Sequence, residues 1–94
     1  MLLGIFKISG HSMMPYLNPG DKVIASNLSY FFIKPKRGDV VVFRYNNKIL
    51  IKRIVKVSND TYDVYGDNKS DSLKIRPIRK SHILGKVLFK LAVL

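Results

Sequence analysis

The sequence predicts a small, mainly β domain, folded as one antiparallel sheet or as a partly open barrel. Three observations lead to this prediction. The chain has 94 residues, 47% of them hydrophobic, which suffices for one domain with an ordinary core. Its apolar residues come in short runs rich in Val, Ile, Tyr and Phe, the residue types that favour strands. Glycine, proline, asparagine and aspartate separate these runs, as turns separate strands. We therefore expect a single domain over residues 1–94.

Six of the apolar runs are predicted to be strands: IFKIS, KVIAS, DVVVFRY, ILIKRIVKV, TYDVY and ILGKVLF. Asn46 and Asn47 are expected to join the third and fourth strands as a tight hairpin, because asparagine tolerates the backbone of a two-residue turn. Six strands in so short a chain favour a mainly antiparallel arrangement. In chain order the predicted strands are Ile5–Ser9, Lys22–Ser26, Asp39–Tyr45, Ile49–Val57, Thr61–Tyr65 and Ile83–Phe89.

The segment NLSYFFIKPKRG, between the second and third strands, is predicted to be a short helical turn or an exposed loop. Two interpretations are open. In the first, Tyr30, Phe31, Phe32 and Ile33 cover one end of the core. In the second, they form an apolar, basic lip that contacts a membrane or a substrate.

Composition narrows the classes of partner and site. The formal net charge of +11 predicts attraction to an anionic partner, whether nucleic acid, a membrane surface or an acidic protein. The chain has no cysteine, which excludes disulfides and thiolate metal sites. Two histidines and six acidic residues are a poor basis for a zinc site, so we expect neither metal nor cofactor.

The two ends of the sequence carry short apolar stretches, MLLGIFKI and VLFKLAVL. The first is too short for the apolar region and cleavage site of a secretory signal peptide. The second falls well short of the roughly 20 apolar residues that span a bilayer. From the sequence we expect a cytoplasmic protein, with peripheral contact to an anionic membrane as an open alternative.

A lysine stands out within the fourth predicted strand, ILIKRIVKV. Side chains alternate between the two faces of a strand, so Lys52 shares its face with Leu50 and Ile54. Burial among aliphatic neighbours disfavours the charged ammonium form, and a lysine that acts as a general base must be neutral. On the strand pattern alone, a solvated charge at a sheet edge is the favoured interpretation.

Four motifs, SGHSMMPYLNPGD, RGDVVVF, ILIKRIVKV and YGDNKSDS, resemble the conserved segments of type I signal peptidases in kind and in order. The resemblance covers roughly residues 7–87. The chain also looks like the short maturation proteases that trim the leader of nickel-type superoxide dismutase. The resemblance implies a signal peptidase catalytic core and a serine endopeptidase that removes an N-terminal leader or signal peptide from a protein substrate by acyl-enzyme hydrolysis.

By this resemblance, the catalytic nucleophile falls on Ser12 and its lysine base on Lys52. Since 40 positions separate them, only the fold can bring them to hydrogen-bond distance. The backbone N–H of Ser12 is the expected oxyanion donor. Some relatives carry a hydroxyl two positions earlier as a second donor. This chain has Gly10 there, so only the backbone N–H of Gly10 can serve as that donor.

The remaining site residues are also implied by the resemblance. Asp67 matches the family aspartate and is expected to pair with Arg53, bracing the strand that carries Lys52. The family segment usually ends in an arginine that this chain lacks, since Leu73 follows Ser72. Two serines are candidates to orient the lysine amine, and two residues beside the nucleophile are expected to contact the substrate. These are Ser70 and Ser72 for the lysine, and Met13 and Pro15 for the substrate.

Other interpretations use the same residues differently. His82 with Asp67 or Asp71 is a candidate Ser-His-Asp arrangement, since such sites are defined by geometry and not by chain order. An inactive relative of the peptidases is a further alternative. A different class is a basic β-barrel that binds nucleic acid through stacked aromatic rings. The candidate stacking residues are Tyr16, Tyr30, Phe31, Phe32 and Tyr45.

Overall fold

A computed structural model describes residues 2–71 and 74–91 of the chain. The described residues form seven strands and three short 3-10 turns. The six predicted strands are confirmed, although the first begins and ends two residues earlier than predicted. The additional strand, the sixth in chain order, has only two residues and is too short for a hydrophobic pattern to indicate it. The strands are β1 Leu3–Lys7, β2 Lys22–Ser26, β3 Val40–Tyr45, β4 Lys48–Ser58, β5 Thr61–Tyr65, β6 Ile78–Arg79 and β7 Ile83–Lys90.

All seven strands belong to one sheet with the order β1-β2-β7-β3-β4-β5-β6. Each neighbouring pair is antiparallel, as predicted. The sheet is not closed into a barrel, because β1 and β6 form its two ends. The hairpin between β3 and β4 turns at Asn46 and Asn47, whose φ angles of 49° and 64° match the predicted tight turn.

The core lies on both faces of β3, the central strand. Val40 and Val42 point into one apolar cluster, and Val41 and Phe43 point into the other. This explains why the strand is a continuous apolar run, since a strand covered on both faces has no polar side to present. The first cluster also contains Ile8, Met13, Leu17, Val23, Ala25 and Val87, and the second contains Tyr30, Ile54, Tyr62, Val64, Ile75 and Ile78.

The segment between β2 and β3 contains a 3-10 turn, Leu28–Phe31. Tyr30 is buried and its hydroxyl donates to the Asp39 carboxylate at 2.7 Å. Burial, together with this hydrogen bond, raises the pKa of the Tyr30 phenol. The interpretation that this segment covers the core is thus correct for Tyr30 and wrong for the next three residues. Phe31, Phe32 and Ile33 are 65%, 85% and 61% exposed.

Two features of the sheet create space beside the core. The second half of β4, from Arg53 onwards, pairs with β5, and Arg53 pairs with β3 as well, but residues 48–52 pair with β3 alone. On the other side of this space, the chain leaves β1, turns through residues 10–20 and returns as β2. Ile8 follows β1 and continues its pairing with the other chain segment, since its N–H donates to the Asp21 carbonyl and its carbonyl accepts from the Gly20 N–H. Within the described ranges, no helix has the length and hydropathy to span a bilayer.

Candidate active site

Ser12 and Lys52 meet in the space between the segment that follows β1 and the first half of β4. Lys52 Nζ and Ser12 Oγ are in direct hydrogen-bond contact. Both residues line a cleft of about 100 Å³, whose other walls are residues 7–9, Met13 and residues 49–51. The fold therefore brings together the two residues to which the sequence assigns the nucleophile and the base.

Lys52 is buried, with only 7% of its surface exposed. It lies opposite Val41 in the β3–β4 ladder, and Ile54, on the same face of β4, is fully buried. The side chain therefore runs along apolar surface before its amine reaches Ser12.

Arg53, the next residue, links β4 to three loops. Its guanidinium donates two hydrogen bonds of 2.8 Å to the Asp67 carboxylate and one of 2.9 Å to the Gly38 carbonyl. It also lies over the Tyr16 ring, 5.1 Å from the centroid. The hydrogen bond to Asp67 raises the pKa of Arg53. The contact that the sequence analysis expected between Arg53 and Asp67 is present.

The loop after β5 also contacts the residues around Ser12, which the sequence analysis missed. The Asn68 backbone N–H donates to the Ser12 carbonyl at 2.8 Å, and its side-chain amide donates to the His11 carbonyl at 3.0 Å. A Cβ on Gly66 would lie 2.5 Å from the Ser12 carbonyl oxygen. The sequence signals a turn at Gly66-Asp67-Asn68, but nothing local indicates what that turn touches.

The other predicted site residues occupy varied positions. Met13 is buried in the first apolar cluster and lines the cleft, whereas Pro15 is exposed. Gly10 is exposed and has a φ of +78°, a conformation that favours glycine. Ser70 donates from its hydroxyl and its N–H to Asn68 Oδ1, at 2.8 and 3.2 Å. Ser72 lies outside the described residues.

His82 is engaged elsewhere. Its Nδ1 accepts a hydrogen bond from the Arg79 N–H at 3.1 Å, and it lines a surface depression with residues 44–47. Among the described residues, Lys52 is the side chain that contacts the Ser12 hydroxyl. Over residues 2–71 and 74–91, histidine and acidic side chains form no cluster suited to a metal ion.

A family comparison bears directly on these features. The family model described as "Signal peptidase, peptidase S26" matches residues 1–61, about two thirds of the chain and including both Ser12 and Lys52. The chain belongs to the signal peptidase family. The resemblance stated from the sequence motifs is thus confirmed at the level of the family, whereas the resemblance to the nickel-type maturation proteases stays a prediction.

Relatives within the signal peptidase family come from organelles and bacteria. The mitochondrial ATP-independent inner membrane protease subunit 1b of Arabidopsis thaliana is 39% identical over 79 residues, which cover 79% of this chain and 47% of the relative. Signal peptidase I of Buchnera aphidicola is 41% identical over 70 residues, covering 58% and 23%. Inactive signal peptidase IA of Staphylococcus aureus is 36% identical over 55 residues, covering 53% and 32%. The chain spans less than half the length of each of these relatives.

Proposed function

We propose that this chain is a serine endopeptidase in which Ser12 and Lys52 form a catalytic dyad that removes an N-terminal leader from a protein substrate. The observation that supports the proposal is the contact between the Ser12 hydroxyl and the buried Lys52 amine at the wall of a cleft. A hydroxyl becomes a useful nucleophile when an adjacent base removes its proton, and a sheltered lysine is suited to be that base.

The reaction follows from the positions of these two groups. Neutral Lys52 takes the proton of Ser12 Oγ as the oxygen attacks the scissile carbonyl carbon. The tetrahedral intermediate collapses, the C–N bond breaks, and the Lys52 ammonium returns the proton to the leaving amine. Lys52 then takes a proton from water, whose oxygen attacks the acyl-enzyme ester, and the proton returns to Ser12 Oγ as the ester bond breaks.

The negative oxygen of the tetrahedral intermediate needs hydrogen-bond donors. The Ser12 N–H is the first candidate, because within the described part of the chain it donates to no backbone carbonyl. The backbone N–H of Gly10 is the second, in the position where some relatives carry a hydroxyl. Gly10 is exposed, so substrate can approach its backbone.

The cleft is bordered by backbone that an extended peptide can pair with. Ile8 directs its N–H and C=O toward the β2 side, so those of Lys7 and Ser9 point the opposite way, toward the cleft. Residues 48–52 of β4 face the cleft with an edge that no described strand occupies. A substrate strand lying between these two edges gains main-chain hydrogen bonds on both sides.

The size of the cleft limits which side chains it accepts. A volume of about 100 Å³ suits a small side chain, and Met13 and Ile51 are among the apolar walls. This agrees with the small, uncharged residues that the family resemblance implies at the first and third positions before the cut. The partner is therefore a protein with a leader of this kind, such as the leaders of the nickel-type branch.

A membrane surface is the second proposed partner. The apolar tip, Phe31–Ile33, is exposed and is followed closely by Lys34, Lys36 and Arg37. Lys80 lines the same surface depression as Phe31. Exposed apolar residues with cationic side chains nearby suit the surface of an anionic bilayer. This contact holds a peripheral protein near leaders that emerge from a membrane, whereas the cytoplasmic alternative needs no such contact.

Vesicle sedimentation separates these two locations. The chain is expected to sediment with phosphatidylglycerol vesicles, and Phe32→Ser is expected to weaken sedimentation several-fold. Leu88→Ser, at an exposed apolar position on β7, is the matched control. Equal binding by both variants, or no binding by the unaltered chain, would argue for the cytoplasmic alternative.

The nucleic-acid alternative is less well supported by the structure. Tyr30, one of the candidate stacking residues, is buried, and Tyr16 packs against Arg53. The net charge of +11 still predicts weak attraction to polyanions. Saturable, sequence-dependent binding of single-stranded RNA or DNA in a salt titration would favour this alternative.

A cleavage assay tests the peptidase proposal and the inactive-relative alternative together. Peptides with leader sequences ending in small residues are incubated with the chain, and the products are identified by mass spectrometry. Ser12→Ala and Lys52→Ala are each expected to abolish cleavage. Ser58→Ala and Lys56→Ala, at exposed positions on the same strand as Lys52, are the matched controls. Cleavage that persists in Ser12→Ala would refute the proposed nucleophile.

A further inference from the structure

Asn68 contacts the His11 carbonyl, which shares a peptide bond with the Ser12 N–H, the proposed oxyanion donor. The His11 carbonyl and the Ser12 N–H belong to the same planar unit, and this bond is trans. In a trans peptide the C=O and N–H point in opposite directions, so a group that holds one of them also aims the other. The Asn68 side-chain amide holds this carbonyl at 3.0 Å.

Asn68 also holds the second peptide plane beside Ser12. Its backbone N–H donates to the Ser12 carbonyl at 2.8 Å. The two planes on either side of the Ser12 Cα together define its backbone conformation, and thereby the direction of the Cα–Cβ bond that carries Oγ. One residue, 57 positions away from His11, therefore controls both planes.

The orientation of the Asn68 amide is itself determined by its neighbours. Its Oδ1 accepts two hydrogen bonds from Ser70, which leaves Nδ2 to face His11. The absence of a side chain at Gly66 lets the Ser12 carbonyl lie against the same loop. Asp67, between them, is bound to Arg53, which adjoins Lys52. A single loop thus contacts the backbone of the nucleophile and the neighbour of the base.

We propose that Asn68 is a positioning residue that aims and polarises the Ser12 N–H as an oxyanion donor. This inference rests on the proposed peptidase function and adds a residue to it. A hydrogen bond accepted by a carbonyl strengthens the donor at the other end of the same peptide unit. Asn68 does so without touching the substrate, so its effect is on the transition state and not on substrate binding.

The kinetic test uses Asn68→Ala, which keeps the backbone N–H and removes only the amide. Loss of one oxyanion donor costs about 10²–10³-fold in kcat, so misaiming this donor is expected to lower kcat by about 10–100-fold with KM unchanged. Asn68→Asp keeps the shape but loses the donor, and should lower kcat at least as much. Ser70→Ala should have a smaller effect, and Lys69→Ala, at the exposed position between them, none.

These variants separate positioning from a merely structural role. If Asn68 serves only packing, Asn68→Asp keeps full kcat, and that outcome overturns the inference. A rise in KM at constant kcat also overturns it, because it indicates contact with the substrate. Thermal melting confirms that each variant is folded before its kinetics are compared.

A second measurement needs no activity. Backbone NMR of the chain compares the His11 carbonyl ¹³C and the Ser12 amide ¹H and ¹⁵N shifts between the unaltered chain and Asn68→Ala. Both sets of shifts are expected to move in Asn68→Ala and to stay in place in Lys69→Ala. Unmoved shifts overturn the inference whatever the activity. Absence of cleavage by the unaltered chain together with moved shifts refutes the peptidase function and leaves the aiming of the N–H in place.

Discussion

Two buried polar groups of this protein, Asp39 and Lys52, lie near β3 and differ in how they are surrounded. Asp39 accepts from the Tyr30 hydroxyl and the Lys36 N–H, and its carboxylate lies 3.6 Å from Lys86 Nζ. Both hydrogen bonds come from residues within 9 positions of Asp39. This network ties the segment before β3 to the start of β3, and none of its residues lines the cleft beside Ser12.

Lys52 instead meets a hydroxyl from 40 positions away at the wall of a cleft. Burying an amine is costly for the fold, and a contact that serves stability alone would be replaced by apolar packing at little loss. The comparison teaches that burial of a charged residue type has two uses here. Around Asp39 it stabilises a local connection, and around Lys52, in the proposed function, it prepares a reactive pair. The four predictions below test this division, in order of decreasing effect on catalysis.

Lys52→Met is expected to have the largest effect on cleavage and little effect on stability. The substitution keeps the aliphatic stem and removes the amine, so no base remains for Ser12. We expect kcat to fall by at least about 10³-fold. The free energy of unfolding, measured by urea denaturation, should stay the same or rise, because no amine has to be desolvated. A large loss of stability would show that Lys52 belongs to the same class as Asp39.

Gly66→Ala is expected to lower activity by about 100-fold, close to the loss of one oxyanion donor. The new Cβ would lie 2.5 Å from the Ser12 carbonyl oxygen, so the nucleophile segment must move. Gly85→Ala is the matched control in the sheet, where the Cβ would approach Ser26 backbone at 3.0 Å. Gly85→Ala should lower the melting temperature more than it lowers kcat, and the reverse is expected for Gly66→Ala. If the loss of kcat relative to the loss of melting temperature were the same in both variants, a special role for the loop after β5 would be contradicted.

Arg53→Lys is expected to reduce kcat by about 10-fold, because an ammonium cannot make the paired hydrogen bonds of the guanidinium fork. Asp67 would then hold β4 less firmly, and the Lys52 amine would be less well positioned relative to Ser12 Oγ. Stability should change little, since Arg53 is partly exposed and such ion pairs contribute about 0–1 kcal/mol. Steady-state kinetics beside urea denaturation measure both effects. A kcat equal to that of the unaltered chain would exclude a role for the Arg53–Asp67 pair in placing the base.

Tyr30→Phe is expected to leave cleavage unchanged and to lower the free energy of unfolding by about 1–3 kcal/mol, since Asp39 loses a buried donor. The raised pKa of Tyr30 gives the effect a pH dependence. In the unfolded chain the phenol ionises near pH 10, whereas the folded chain retains its proton, so this stabilisation is complete below about pH 10 and declines above it.

Urea denaturation between pH 8 and 11 checks the Tyr30 prediction. The difference between the unaltered chain and Tyr30→Phe should be constant up to about pH 10 and should shrink at higher pH. A difference that grows with pH would contradict the assigned direction of the pKa shift. A loss of cleavage activity at neutral pH would show that the Asp39 network and the catalytic pair are not separate.

Much of the fold could be predicted because strands and tight turns depend on neighbouring residues. Alternation along ILIKRIVKV placed Lys52 on the same face as Ile54, without deciding whether that face is buried, and Asn46-Asn47 indicated the hairpin. For the Phe31–Ile33 tip, local patterns do not correctly predict whether the side chains are buried. Hydrophobicity alone predicts burial for these three residues, but the turn around Tyr30 buries only one ring of the segment, and the next three residues project outward.

The sequence by itself determined the mainly β class and the boundaries of six strands to within about two residues. These follow from periodicity and turn chemistry, which are local. The proposed serine–lysine pair was implied by the resemblance of its motifs to a known family. Only the tertiary structure decided that Asn68 and Gly66 lie against the backbone of residues 11–12, and that the amine at position 52 reaches Ser12. These contacts join residues 40 to 57 positions apart. They depend on the order in which strands pair, which no local pattern specifies.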